Sequence, residues 1–199
     1  MDLSDEKVYN NLIEKIKSDL KEKVTEKRYN HSCLVADEAK KLAIRYGEDP
    51  KEAYITGLAH DIAKYFSDEE NRYFVEKYNL SKDILLPEYA KVLHSDIGAV
   101  ACKEWYNFSD KMCNAIKYHT IGNVQMTTFE KIIYIADKIG RTELPEDLKI
   151  LPEITYKNIN EALLYFLNQQ KKKFDEKGKK PRDVTIKLRE NLEKELENK

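Results

Sequence analysis

Over residues 3–26, apolar side chains recur every four positions, at Val8, Leu12, Ile16, Leu20 and Val24, the stripe of an amphipathic helix that packs through one face. A second helix is predicted over about residues 31–46, with Leu34, Val35, Leu42 and Ala43 turned inward and Gly47 as its stop. Asp49-Pro50 opens a third, an N-cap followed by proline in the first turn. Its apolar face runs through Ala53, Ile55 and Leu58 and brings His60-Asp61 near the C-terminal end of the helix.

The pattern continues along the chain. Ser67 caps a short helix over Phe74 and Val75, and residues 81–86 read as a connector. Pro87 starts a segment through His94 whose apolar face is Ile97, Val100, Ala101 and Trp105. Ser109 caps a helix that ends at His119, residues 120–123 break it, and Thr127-Thr128 starts the helix that carries Asp137. Leu144-Pro145 and Leu151-Pro152 mark a loop, since a residue before proline is pushed out of the helical region. Helices near residues 157–174 and 182–197 finish the chain, separated by a solvated basic turn at 177–181. The fold class expected is all-α. One domain is expected over residues 1–199, with the chemistry in a core of about 28–141 and C-terminal helices, 152–199, packed on it.

Composition narrows the function. Charged residues make up 36% and nearly cancel to a net charge of -1, so no global field draws the chain to nucleic acid or to a membrane. No apolar run approaches the roughly 18 residues a bilayer span needs, and the N-terminus lacks the apolar core of a signal peptide; a cytoplasmic protein is expected. Cys33, Cys102 and Cys113 are odd in number and form no C-x-x-C pair, against both a disulfide framework and a cysteine zinc site.

The chemistry gathers in Gly57-Leu58-Ala59-His60-Asp61-Ile62-Ala63-Lys64. A carboxylate buried in such an apolar run costs several kcal/mol unless a partner neutralises it, and a metal ion is a strong partner. Asp137 stands in a second apolar run, residues 132–139, and His31, His94 and His119 lie at or near helix ends. Taken singly, each histidine reads as a hydrogen-bonded core residue; together, these six are expected to form one site. Imidazole and carboxylate donors suit iron, manganese or zinc. Six donors exceed one catalytic ion's needs, so two divalent ions are expected, bridged by Asp61. His31, His60 and Asp137 complete one and His94 and His119 the other, with a bridging hydroxide as nucleophile on phosphorus. Lys64 rises from the face of the ligands, and Arg28, three before His31, offers a planar fork to phosphate. Asp96 and Thr120, beside metal histidines, are candidate hydrogen-bond partners of the ligands.

His31, then His60-Asp61, then Asp137 resembles the H…HD…D signature of the HD-domain phosphohydrolase superfamily. His60-Asp61-Ile62-Ala63-Lys64, His94-Ser95-Asp96-Ile97-Gly98-Ala99, His119-Thr120 followed by Gly122 and Met126, and Tyr134-Ile135-Ala136-Asp137-Lys138-Ile139 narrow it to the YqeK-type symmetrical dinucleoside tetraphosphatases. The resemblance implies an HD-domain helical bundle with a di-iron site that cuts diadenosine tetraphosphate into two ADP. Lys64 would then act at the phosphates, with Arg28, Lys64, Thr120 and Arg141 contacting substrate. It departs after Asp137, where Gly140-Arg141-Thr142 stands in place of the family's Glu-Pro step before an arginine. Another HD phosphohydrolase, acting as a nucleotidase or on a guanine alarmone, and a non-catalytic nucleotide-binding module remain alternatives. A nucleotide is the partner expected, and a homodimer stays open.

Overall fold

The computed structural model describes residues 3–197. Among these, the regular structure is wholly helical: α1 (Glu6–Lys23), α2 (Glu26–Tyr46), α3 (Pro50–Ala59), α4 (Asp68–Lys77), α5 (Leu93–Tyr106), α6 (Asp110–Tyr118), α7 (Thr128–Ile139), α8 (Leu151–Lys157), α9 (Ile159–Glu176) and α10 (Asp183–Glu197), with three short 3-10 turns. Capping chemistry sets the starts. Thr25, Asp49 and Ser109 accept first-turn amides with their side chains, and Ser67 with Glu70 and Thr127 with Glu130 form reciprocal capping boxes.

The central crossing is α2 against α3 and the end of α7. A Cβ on Gly57 would stand 3.1 Å from the Ala36 Cα, and one on Gly140 would stand 2.8 Å from the Val35 Cα. Only glycine lets α3 and the α7 terminus approach α2 so closely. Because Gly57 is one turn before His60, Gly140 three after Asp137 and Val35 four after His31, this crossing brings those three side chains together. Helices α5 and α6 pack as a pair, α6 rests on α3 and α7, and α9 lies on α7 with α8 and α10 against it. The core they share includes Ile16, Leu20, Leu42, Ile55, Ile62, Ile97, Ile116 and nearly all of α7.

Several expectations are corrected. Helix α2 begins at Glu26, five residues before His31, because Thr25 caps it. Val8 and Leu34 are exposed, and Tyr9 takes the buried place beside Leu12. The Pro87 segment is interrupted: residues Pro87–Tyr89 form a 3-10 turn, and α5 starts afresh at Leu93. Leu151-Pro152 opens helix α8 instead of lying in a loop. Proline is tolerated there because a first-turn amide has no intrahelical partner to lose.

Candidate metal centre

His60 is the C-cap of α3, and the chain from Ala59 to Phe66 continues in tight i to i+3 turns, Ile62 N–H to Ala59 O and Lys64 N–H to Asp61 O at 3.0 Å each. Helix α2 supplies His31, the start of α5 His94, the C-cap of α6 His119, and the last turn of α7 Asp137. All six lie in one cluster, from which three overlapping sets of donor atoms fall within 4.8 Å of one another: His31, His60 and Asp61; His60, His119 and Asp137; Asp61, His94 and His119.

Every histidine presents Nε2 to this cluster. His31 Nε2 is 2.9 Å and His60 Nε2 3.6 Å from Asp137 Oδ1. His94 Nε2 is 3.0 Å and His119 Nε2 3.6 Å from Asp61 Oδ1, while His60 Nε2 is 3.3 Å from Asp61 Oδ2. The far nitrogens are fixed from behind: His60 Nδ1 donates to Gly57 O at 2.7 Å and His119 Nδ1 to Ile116 O at 2.6 Å. That donation leaves Nε2 of the neutral ring as a free lone pair aimed at the cluster.

These atoms fit a cation better than one another. His60 Nε2 and Asp61 Oδ1 are buried without a hydrogen bond of sound geometry, and the Nε2 atoms of His94 and His119 face each other at 3.3 Å. Buried polar atoms that converge unpaired are costly, and a set of N and O donors around shared carboxylates suits borderline divalent metals. The two adjacent His/Asp groupings are consistent with a dinuclear divalent-metal site.

Electrostatics agree. Burial works to raise Asp61, but the imidazoles of His60, His119 and His94 crowded against it hold it well below the usual carboxylate range. Burial likewise opposes Asp137, and Lys138, His31 and His60 hold it low. Burial alone would lower His60, yet Asp61 and Asp137 carry it up to about 9. Burial prevails at His94, pushed down to about 4, and lowers His31 and His119.

The other residues singled out in the sequence fall at different distances. Arg28 Nη1 donates to Asp61 Oδ2 at 2.8 Å. Lys64 Nζ lies 3.0 Å from His94 Nε2 and 3.7 Å from Asp61 Oδ1, and burial lowers its pKa against the pull of Asp61. Arg141 donates to the Asp137 carbonyl at 3.2 Å. Thr120 bonds Ser95, and Asp96, half-buried and influenced by Lys117, makes no hydrogen bond to a cluster histidine. A cavity of about 660 Å³ opens at His31, with Arg28, Arg141, Leu34, Asn30 and Tyr65 in its walls. Tyr65 is 53% exposed, and Thr25 and Arg28 near its hydroxyl lower its pKa.

Sequence reasoning missed two of these neighbours as site residues. Lys138, partly buried, donates from Nζ to Asp137 Oδ2 at 2.5 Å and to His119 O at 3.3 Å, while lying 4.8 Å from the Tyr134 ring centre. Its signal was a lysine inside an apolar helical run. Tyr65 carried no signal beyond its place after Lys64.

Residues 28–142 match the HD domain family. The chain belongs to that family. It is 44% identical over 133 residues to a symmetrical bis(5'-nucleosyl)-tetraphosphatase of Staphylococcus aureus, across 65% of this chain and 68% of that one. A Bacillus subtilis protein of the same description is 32% identical over 146 residues, across 73% and 78%. The HD fold is also seen in a crystal structure described as a predicted HD superfamily hydrolase involved in NAD metabolism, from Clostridium acetobutylicum. It matches with a TM-score of 0.83 and 32% identity, over 94% of this chain and 98% of that one. The chain is therefore an all-α, single-domain HD bundle closely related to the bacterial symmetrical tetraphosphatases. No helix among its described residues is long and apolar enough to cross a membrane.

Proposed function

We propose that this HD protein hydrolyses dinucleoside tetraphosphates symmetrically, diadenosine tetraphosphate to two ADP, in the cytoplasm and with iron as its ion, manganese or zinc being alternatives the same donors accept. The observation that carries the reading is the six-donor cluster whose His31 edge lines an arginine-walled cavity, next to relatives described as symmetrical tetraphosphatases. Two divalent ions bound there would supply activated water and electrophilic help to phosphorus at neutral pH.

This chain's residues do the rest. Asp61, with one oxygen toward His94 and His119 and the other toward His60, is placed to serve both positions. Arg28 and Arg141 offer forked donors to phosphate oxygens at the mouth of the cavity. Lys64 has a pKa lowered by burial, which makes its ammonium a readier proton donor to a leaving phosphate oxygen. Tyr65 and Leu34 give the cavity apolar surface that suits a nucleobase.

Incubating the metal-loaded protein with diadenosine tetraphosphate tests the reading. ADP as the sole nucleotide product is expected. ATP with AMP, or an intact dinucleotide beside rapid mononucleotide cleavage, would overturn it.

A further inference from the structure

Helix α10 lies outside the matched HD segment, yet it touches both stretches that deliver His94 and His119. Arg182, just before the helix, donates from Nη2 to Glu88 O at 2.6 Å and stacks its guanidinium 4.1 Å from the Tyr89 ring centre. Those residues form the 3-10 turn that leads into His94. On the other side, Thr185 Oγ1 donates to Ile121 O at 2.9 Å and Asn191 Nδ2 to Val124 O at 3.1 Å, in the loop that follows His119.

Between these bonds, buried Leu188 presses on Gly122. The glycine holds φ +78, and a Cβ there would meet the Leu188 methyl at 2.5 Å. A side chain at this position would meet both left-handed strain and a clash. The two stretches are also tied to each other. Ser95 spends its proton on Val92 O at 2.6 Å, so Thr120 is the donor in the 3.2 Å Ser95–Thr120 bond.

We propose that α10 is a clamp that sets His94 and His119 against Asp61, so that Arg182, Thr185 and Leu188 are positioning residues for the metal ion held by those three. The inference rests on the two-ion reading. The position formed by His31, His60 and Asp137 is built from α2, α3 and α7 around the glycine crossing, and the long 3.9 Å ion pair of Glu195 in α10 with Lys131 in α7 falls six residues before Asp137. Loosening the clamp therefore weakens one ion and spares the other. A partner that orders a ligand's approach changes metal affinity by roughly 10–100-fold when removed.

The test uses the full chain, stripped of metal and titrated with Mn2+, the free ion being read by its paramagnetic resonance signal. Two variants are compared with the parent: Arg182→Ala with Thr185→Val, and Leu188→Ala. The expected result is two binding steps in the parent, with one step loosened at least about tenfold in both variants and the other unchanged within about twofold. A parent that binds a single ion overturns the two-ion reading and the clamp with it. A parent with two ions, and variants whose steps are both unmoved or both loosened equally, overturns the clamp alone. A fall in melting temperature without change in the ratio of the two steps counts as the latter, since a purely structural role would produce it.

Discussion

Arg28 Nη1 and Asp61 Oδ2 are 2.8 Å apart, so the carboxylate at the middle of the candidate metal cluster is also the partner of the arginine that lines the cavity. A guanidinium and a metal ion compete for the same negative charge. Arg28→Ala is accordingly expected to bind metal more tightly than the parent in a chelator competition. On the proposed function the same change would also remove a charge-assisted contact to phosphate worth roughly 1.5–3 kcal/mol, so kcat/KM for the dinucleotide should fall by roughly ten- to a hundredfold. A variant that binds metal more weakly would show that Arg28 supports the carboxylate instead of competing for it.

His94 and His119 meet at 3.3 Å through their Nε2 atoms. If that contact marks a second ion position, His94→Ala should lower the metal content of the purified protein from two ions per chain toward one. Turnover of diadenosine tetraphosphate should drop at least about a hundredfold, the upper range for disturbing a metal's surroundings. Elemental analysis beside an activity assay reads both; two ions retained with activity lost would place His94 at the substrate.

His60 lies between two carboxylates that lift it from 6.5 to about 9, whereas His94 falls to about 4. In the metal-free protein near pH 7.5, His60 is thus protonated and the other three histidines are neutral. Metal uptake must displace that proton, and calorimetry in buffers of differing ionisation heat should count about one proton released, declining above pH about 9. The sign for stability follows from the same shifts. The raised His60 stabilises the metal-free fold fully below 6.5 and loses that contribution as pH rises through about 9. The depressed His94 costs stability as pH falls from 6.5 toward about 4. Melting temperature of the stripped protein should therefore decline at both ends of that window, and added metal should flatten the alkaline side.

Tyr65 offers an exposed ring at the cavity. Stacking of a base on such a ring contributes roughly 1–3 kcal/mol. Tyr65→Ala should raise KM for diadenosine tetraphosphate about tenfold or more, while Tyr65→Phe, which keeps the ring, should stay near the parent. Equal effects of the two substitutions would assign the role to the hydroxyl.

The candidate ligands were legible as a set: His60-Asp61 and Asp137 occupy positions that an apolar residue would fill at no cost, and His31, His94 and His119 gain meaning only beside them. The geometry that joins them was less so. Gly57 and Gly140 gave no warning of how closely α2 is approached, since the glycine's role appears only when another helix's backbone is in place. Lys138 pairs with Asp137 although adjacent side chains on a helix normally diverge, because its long stem carries the ammonium back to the carboxylate. The stripe of α1 was drawn with a period of four, which drifts about 40° per step against a true helix, and so Val8 leaves the core and Tyr9 enters it. Leu34 faces the cavity, which no pattern of apolar spacing distinguishes from a core position.

Lys64 reaches both His94 Nε2 at 3.0 Å and Asp61 Oδ1 at 3.7 Å, which on the proposed function makes its ammonium the candidate proton donor to the cleaved phosphate oxygen. The metal donors do not depend on it, because Asp61 keeps His60, His94 and His119 around it. Lys64→Met should consequently retain two ions per chain, yet lose roughly a hundredfold or more in kcat, the range for a positioned general acid. A change confined to KM would make Lys64 a phosphate contact only. The pH profile separates the cases further. Burial has lowered this lysine, so the parent's kcat should fall on the alkaline side below the ordinary lysine range as the proton is lost. That alkaline limb should vanish in the methionine variant. A limb that persists unchanged would mean that the titrating acid is another group.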